Sequence, residues 1–487
     1  MTELAGWRRS VLGTGYEGIE AASMSANQGT PTSTSLERDA RLVSTDHRVQ
    51  PDEIALGVVI GRTAEFFDFF VYGIGSVLVF PRLFFPFADP VTAELYSFAV
   101  FSLAFIARPI GSIVFMTVDL LYGRGVKLTA AMLLLGFSTA AISFLPGYDQ
   151  IGKASIVLLG IFRVGQGLAL GGAWDGLASL LSLNAPPGRR GWYAMMPQLG
   201  APLGFLLASG LFAYFVLNLS TEDFLSWGWR FPFYVAFTIN VVALFARLRL
   251  VVTDEFSRLL HHRELEPVSV AEMFTNQGRY VLIGAFVPLA TFALFHLVTI
   301  FPLSWVTLFA HRSSGDFLLV ECAAAVAGAV GVVLSGLIAD RIGRRPLLAI
   351  LAVLIGVFSA LVPFLLGDGP VGQDAYVVLG FGGLGLSFGQ ASGAVTSNFL
   401  PQYRYTGAAM TSDLSWLVGA GFAPLVALGV ASRFGLGWVS AYLLSGVACT
   451  LVALLVNKLE VRDVSGDPAR PGADAGSLGR NLAPRSR

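Results

Sequence analysis

Four polar side chains near the start of the chain follow a helical spacing inside an otherwise apolar segment. Arg62, Glu65 and Asp68 are three residues apart, and Tyr72 follows four residues later. At these intervals the side chains lie on one sector of an α-helix. Two carboxylates beside an arginine can hold one shared proton, because desolvation and the second negative charge favour the neutral acid whereas the cation favours the carboxylate. The spacing predicts proton-coupling acids in Glu65 and Asp68. A static ion pair with Arg62 is the alternative.

A second arginine lies in a later apolar segment, in the string Arg163-Val-Gly-Gln166-Gly167. A guanidinium fork suits a carboxylate ligand. We therefore predict that Arg163 and Gln166 bind substrate, with a hydrogen-bonded helix brace as the alternative. Asp175, twelve residues further on, is interpreted as a proton site or as a gate partner of Arg108.

In the second half of the chain, we expect His296 and Asp413 to be the only ionisable groups inside apolar segments. A histidine can relay protons near neutral pH, although a hydrogen bond between helices explains it equally well. Asp413 is placed where it could take up and release a proton. It lies nine residues from Arg404, however, and could instead interact with that residue at a cytoplasmic gate. Both are predicted as proton-coupling residues.

The composition indicates what surrounds these residues. The chain has 487 residues, of which 54% are hydrophobic and only 13% are charged. A soluble domain has roughly 25% charged residues, so the excess apolar surface indicates a lipid bilayer. About half of the charged residues fall in three segments, 1–53, 251–279 and 458–487. An ionisable side chain at the membrane centre costs about 2.5–3.5 kcal/mol even on a lenient scale, so the few that remain need a partner or a role.

Apolar runs long enough to cross a membrane predict an all-α integral membrane protein with twelve transmembrane helices, in two bundles of six. The runs lie at 54–82, 92–118, 127–147, 153–183, 191–218, 229–250, 280–310, 316–339, 346–367, 373–400, 405–432 and 436–457.

The polar segments divide the chain into predicted domains. Residues 54–250 form the first bundle, 251–279 a central loop, and 280–457 the second bundle. Residues 1–53 and 458–487 are predicted to be disordered tails, and the first lacks the pattern of a signal peptide. Most Lys and Arg residues near span ends lie in one set of loops, which places both tails and the central loop in the cytoplasm and the protein in the plasma (inner) membrane.

A charged motif stands between the eighth and ninth runs. It reads Gly336-Leu-Ile-Ala-Asp340-Arg341-Ile-Gly343-Arg344-Arg345, and a diverged copy, with Asp119, Gly123, Arg124 and Lys127, follows the second run. These strings resemble the signature loop of the major facilitator superfamily. The resemblance implies the major facilitator fold, in two related halves, with loop residues that gate one membrane face.

A finer resemblance rests on Gly61 to Phe70, Phe105 to Gly111, Arg163 to Trp174, Gly188 to Tyr193, Trp227 to Pro232 and Arg404 to Gly407. These strings are similar to the metabolite:proton symporter family, whose members carry organic acids and zwitterionic osmolytes. The glutamate common in that family is absent from Gly171-Gly172-Ala173-Trp174, and Asp175 follows instead.

The remaining predicted site residues belong to two groups. Substrate-binding residues are expected at span depth, and gating residues in or near the loops. The substrate-binding group comprises Arg62, Tyr72, Arg163, Gln166, Trp174, Gln198 and Gln390. The gating group comprises Arg108, Asp119, Arg124, Asp340, Arg341, Arg344, Arg345 and Arg404.

The predicted function is secondary active transport by alternating access, with proton-coupled uptake of a small organic acid or zwitterionic metabolite. Alternatives are a proton-coupled efflux antiporter and a polytopic membrane enzyme, although we expect no enzymatic activity. Two cysteines, Cys322 and Cys449, give no disulfide framework or zinc-binding spacing, so no metal or cofactor is expected. The neutral net charge argues against a nucleic-acid partner. The expected partners are substrate, protons and the bilayer, and we expect a monomer.

Overall fold

The structure is a computed structural model that describes residues 51–173, 181, 185, 188–251, 267–391 and 399–465. In these ranges the regular structure is helical, without strands, as the sequence predicts. Most of the predicted tails and of the central loop lies outside the described residues, and so do Trp174 and Asp175. Residues 51–53, 270–279 and 458–465, which the sequence assigns to the tails and the central loop, are helical.

Six long helices, α1 to α6, form the first half. Their bounds are α1 Pro51–Leu78, α2 Pro90–Tyr122, α3 Arg124–Ser143, α4 Lys153–Gly172, α5 Arg190–Met195 continuing as Gly200–Asn218, and α6 Arg230–Val251. A 3₁₀ turn, Met196–Leu199, joins the two parts of α5 and contains Pro197.

Six further helices, α7 to α12, form the second half, and two of them are interrupted. Their bounds are α7 Val270–Phe286, Leu289–Thr299 and Phe301–Leu308; α8 Ser314–Ile342; α9 Arg344–Gly367; α10 Gly369–Ala391; α11 Arg404–Ser415 and Ala423–Phe434, joined by a π turn, Trp416–Gly421; and α12 Gly437–Ser465.

Ten helical segments of the described chain are long and apolar enough to cross a membrane. The two remaining long helices are α1 and α10. Every 18-residue window of α1 contains Arg62, Glu65 and Asp68, and α10 is rich in glycine. The polar groups that the sequence singles out are therefore what lowers the apolarity of α1.

The two halves repeat the same backbone turn. Gly123 separates α2 from α3 and Gly343 separates α8 from α9, with φ values of 84° and 88°. Each glycine N–H bonds to a carbonyl four residues earlier, that of Asp119 or Ala339. A positive φ at these positions favours glycine, since it has no Cβ. The shared turn supports the relation between the two motif loops, and we call the end of the molecule that carries them the motif end.

Close helix packing also repeats between the halves. Gly167 of α4 lies against the Ala104 carbonyl of α2, and Gly385 of α10 lies against the Gly328 carbonyl of α8. A methyl group at either glycine would overlap that backbone oxygen. The small residues thus allow the close helix approach that is common in membrane proteins.

Aromatic side chains fill the space between the halves. Phe66 and Phe70 of α1 stack on Phe295 of α7, with ring centroids 6.1 and 5.7 Å apart. Trp416 of α11 contacts Phe295 at 5.0 Å. The core therefore runs continuously from one half to the other through α1, α7 and α11.

Candidate functional site

Arg163 lies at the centre of the first half and is almost fully buried, with 1% of its surface exposed. Its Nε donates to the Phe101 carbonyl at 3.1 Å, and its Nη1 donates to Gln166 Oε1 at 3.0 Å. The guanidinium carbon lies 3.8 Å from the centroid of the Tyr72 ring and 4.7 Å from that of Phe101. Two aromatic faces and two hydrogen bonds therefore fix the orientation of the charged group.

Arg163 and Tyr72 each have a buried polar group without a hydrogen-bond partner among the described residues. These groups are Arg163 Nη2 and the Tyr72 hydroxyl. A buried donor without a partner costs roughly 1–3 kcal/mol. Both groups can donate to an anion, and a carboxylate can accept from both.

Asp68 is buried one turn before Tyr72 on α1. Its Oδ1 accepts from Thr139 Oγ1 of α3 at 2.6 Å and from Asn240 Nδ2 of α6 at 3.2 Å. The same Thr139 hydroxyl accepts from Gln166 Nε2 at 2.9 Å. A continuous hydrogen-bond chain thus runs from Asp68 through Thr139 and Gln166 to Arg163.

His296 of α7 meets this cluster from the other half and is fully buried. Its ring stacks on Phe69 at 5.4 Å and meets the edge of Phe101 at 5.3 Å. Its Nδ1 lies 3.4 Å from Thr299 Oγ1, whereas Nε2 has no partner among the described residues. Arg163 also lies near Phe69 and Phe101, so the arginine and the histidine share two neighbouring rings.

Arg62 and Glu65 form an ion pair on α1, with Nη1 and Oε2 2.5 Å apart. They line a small cavity with Phe69, Arg108 and Trp416. Glu65 and Asp68 therefore share a helix but contact different groups, the first a cation and the second two neutral donors.

Asp413 of α11 joins the halves by bonding to α2. Its Oδ1 accepts from Arg108 Nε at 2.7 Å, and its Oδ2 accepts from the Ser112 hydroxyl. Arg404, the gate partner considered from the sequence, donates to the Phe399 carbonyl at 3.2 Å. The observed partner of Arg108 is Asp413, and Asp175 lies outside the described residues.

The second-half motif also joins the halves. Asp340 accepts from the backbone N–H groups of Gly191 at 2.6 Å and Trp192 at 3.1 Å, at the start of α5. A carboxylate at a helix N-terminus satisfies free N–H groups and interacts favourably with the helix dipole.

Gln390, predicted to bind substrate, lies in this same contact at the motif end. It donates to the Gly191 carbonyl at 3.1 Å and accepts from Arg344 Nε at 3.2 Å. Gln198, the other predicted glutamine, is buried in the turn within α5. Gln390 therefore takes no part in the hydrogen-bond chain between Asp68 and Arg163.

The first-half motif contacts α11. Lys127 Nζ donates to Asp119 Oδ2 at 3.1 Å and to the Tyr405 hydroxyl at 2.5 Å. Arg124 lies over the Tyr405 ring, 4.8 Å from its centroid. Of the other predicted gating residues, Arg341 is exposed and Arg345 donates to the Leu454 carbonyl at 3.4 Å.

Two buried acids were missed by the sequence analysis. Glu94 of α2 and Glu321 of α8 are 2% and 0% exposed. The expectation that His296 and Asp413 are the only ionisable groups inside the second half is therefore wrong, because Glu321 lies within α8. Each acid lies within six residues of the start of an apolar run, and that position is the signal by which the sequence could have identified it.

A cavity with a volume of about 670 Å³ lies at the end opposite the motifs. Its wall includes Val77 and Val216 of the first half and Thr307 and Leu308 of the second. The halves are thus joined at the motif end and enclose open space at the opposite end.

Comparison with known proteins gives consistent results. The model of the Major Facilitator Superfamily matches residues 63–412. The inner membrane metabolite transport protein YhjE of Escherichia coli (strain K12) is 37% identical over 431 residues, which cover 87% of this chain and 97% of that protein. The shikimate transporter of the same strain is 30% identical over 441 residues, covering 86% and 99%. Its proline/betaine transporter is 27% identical over 433 residues, covering 86% and 85%.

Among solved structures, a D-xylose-proton symporter matches with a TM-score of 0.62 at 18% identity, covering 82% of this chain and 96% of that one. At this identity the likeness concerns the fold. The family match and the relatives show that this chain, with its two six-helix halves, belongs to the Major Facilitator Superfamily of membrane transporters.

Proposed function

We propose that the protein couples proton entry to the uptake of a small organic acid or zwitterion. The observation that carries this proposal is the buried Arg163, which has one guanidinium nitrogen free of described partners and a hydrogen-bond chain to Asp68. Related proteins are named as transporters of shikimate and of proline/betaine, and the structural neighbour is named as a proton symporter. Transport rather than catalysis is the role that all of these names share.

In this proposal a substrate carboxylate binds between Arg163 Nη2 and the Tyr72 hydroxyl. A charge-assisted hydrogen bond to a fixed guanidinium is stronger than one between neutral groups. The surrounding rings of Phe69 and Phe101 exclude water, which strengthens this interaction.

Asp68 is the proposed proton carrier. Because its partners Thr139 and Asn240 are neutral, no ion pair has to break when it takes up a proton. The Thr139 hydroxyl can reverse its hydrogen bond and accept from the protonated acid, since a hydroxyl both donates and accepts. That reversal would change the hydrogen bond that Gln166 makes to the Thr139 hydroxyl. Because Gln166 also accepts a hydrogen bond from Arg163, proton binding at Asp68 would be linked to substrate binding at Arg163.

Alternating access follows from the contacts between the halves. Asp340 and Asp413 close the motif end, whereas the opposite end holds the 670 Å³ cavity. The distribution of Lys and Arg supports placing the motif end in the cytoplasm, so the cavity would face outward. One chain supplies both halves, which is consistent with a monomer.

The test is uptake of radiolabelled shikimate and proline into proteoliposomes. We expect Arg163→Gln to weaken binding of a transported acid roughly ten- to hundred-fold, the cost of one lost charge-assisted hydrogen bond. The matched control is Arg312→Gln, because Arg312 pairs with Asp374 at the opposite end. Unchanged affinity in Arg163→Gln, or failure of an acid or zwitterion panel to be transported, would contradict the proposal.

A further inference from the structure

Glu94 is a buried carboxyl on the wall of the outward-facing cavity, and the proposed proton pathway does not use it. It is 2% exposed, and it lines the cavity together with Val77, Val216 and Thr307. Its Oε1 has no hydrogen-bond partner among the described residues. An unpaired buried carboxyl therefore meets a space that solvent can enter.

Ser304 of α7 faces Glu94 from the second half. Its hydroxyl lies near the carboxyl without forming a hydrogen bond to it, Ser304 Oγ has no hydrogen-bond partner among the described residues, and the residue is 0% exposed. Glu94 of α2 and Ser304 of α7 thus lie close to each other, one in each half, without a hydrogen bond between them.

The charged groups around Glu94 are more exposed than Glu94 itself. Arg82, which interacts with it electrostatically, and His311 are exposed cavity residues. Asp89 caps the start of α2 by accepting from the Thr92 N–H. Arg433 ends α11, whose Gly429 packs near Leu95. Because Arg82 is exposed, water that can enter the cavity would screen its charge from the carboxylate.

Closing the cavity would remove this water. An ionised carboxylate left without water or a close cation is strongly disfavoured, whereas a neutral acid with a hydrogen-bond partner can be buried at little cost. Closure is thus compatible with the protonated acid, in which the Glu94 O–H can donate to Ser304 Oγ.

We propose that Glu94 is a second proton-binding site, separate from Asp68, whose protonation from the cavity allows α2 and α7 to close over it through a Glu94–Ser304 hydrogen bond. The proton comes from water or buffer acid in the cavity and returns there on reopening. The inference rests on the proposed alternating access, but it does not require Asp68 to be the coupling acid.

The experiment measures cavity access in the full chain, reconstituted in liposomes without substrate or an ion gradient. Cys322 and Cys449 are replaced by serine, and Val216→Cys supplies a reporter on the cavity wall. Its rate of labelling by a membrane-impermeant maleimide is divided by that of Glu222→Cys, an exposed position in a short helix at the same end, which corrects for the effect of pH on the thiol.

We expect the corrected rate to fall several-fold between pH 8 and pH 6. Glu94→Gln should label slowly at both pH values, because its amide is neutral and can donate to Ser304. Ser304→Ala should remain reactive at pH 6. His311→Gln should keep the pH dependence of the parent, which separates the effect of Glu94 from that of the histidine on the cavity wall.

A Glu94→Gln variant with the parent's pH dependence, or a His311→Gln variant without it, would overturn the inference. Glu94→Asp keeps an acid at the same position, so retained pH dependence in this variant shows that the assay reports the carboxyl rather than misfolding. Because no transport is measured, normal coupling in an Asp68 variant would contradict the proposed function and leave this result unaffected.

Discussion

Asp68 and Glu65 illustrate how neighbours on one helix acquire different chemistry. Glu65 lies 2.5 Å from Arg62, so protonating it would cost an ion pair. Asp68 accepts hydrogen bonds from the neutral side chains of Thr139 and Asn240. The cation Arg163 is connected to it through a chain of hydrogen bonds that passes through Gln166 and Thr139. The neutral surroundings make Asp68 the better candidate for reversible protonation.

We therefore predict that Asp68→Asn abolishes substrate accumulation driven by a proton gradient but keeps substrate counterflow, which needs no net proton movement. Asparagine preserves the shape and one acceptor oxygen, so Thr139 and Asn240 retain a partner. Proteoliposomes loaded at different internal pH measure both activities. Asp316→Asn, an exposed acid at the start of α8, is the control. Gradient-driven accumulation by Asp68→Asn at the parent level would rule out its coupling role.

At the scale of helices, glycines decide how closely spans approach. Gly385 and Gly382 lie on the same helix, α10, but of the two only Gly385 would bring an added Cβ against another backbone, that of Gly328. An added methyl at Gly382 would meet no atom within 4 Å. The pair separates close packing from the general effect of a glycine in a helix.

Gly385→Ala should lower the melting temperature of the detergent-solubilised protein, since overpacking costs typically about 1–3 kcal/mol. Gly382→Ala should leave it unchanged or raise it slightly, because alanine favours a helix over glycine by up to about 1 kcal/mol. The two substitutions are identical in chemistry and differ in position alone. Equal melting temperatures for both variants would show that α8 and α10 can move apart to admit the methyl group without a loss of stability.

At the scale of the whole molecule, polar contacts between described residues of the two halves hold the motif end closed. Asp340 bonds to the start of α5, Asp413 to Arg108, and Lys127 to Tyr405, and each contact crosses from one half to the other. Their positions imply that the balance between closed and open states depends on these groups.

Asp340→Ala is expected to increase the population in which the motif end is open, since it leaves the Gly191 and Trp192 N–H groups without their acceptor. Spin labels at Tyr122→Cys and Ile342→Cys, exposed ends of α2 and α8, report this opening by pulsed electron resonance in the cysteine-free background. Asp316→Ala serves as the matched control. If the distribution of distances between the two spin labels is unchanged in Asp340→Ala, Asp340 does not hold the motif end closed.

The sequence by itself determined the class of the protein, because crossing a bilayer constrains the length and apolarity of each helix locally. It also identified the motif loops, since Gly123 and Gly343 enforce the same turn in both halves. The cost of charge in lipid likewise made Asp68, Arg163 and Asp413 stand out before any contact was known.

Only the tertiary structure decided the partners. Asp413 bonds to Arg108, 305 residues away, and Gln390 lies in the motif-end contact instead of beside Arg163. Glu94 and Glu321 likewise became notable once their burial was seen. Spacing along a helix shows which side chains share a face, but the packing of other helices decides what that face meets, and that packing determines which acid is paired and which is free to bind a proton.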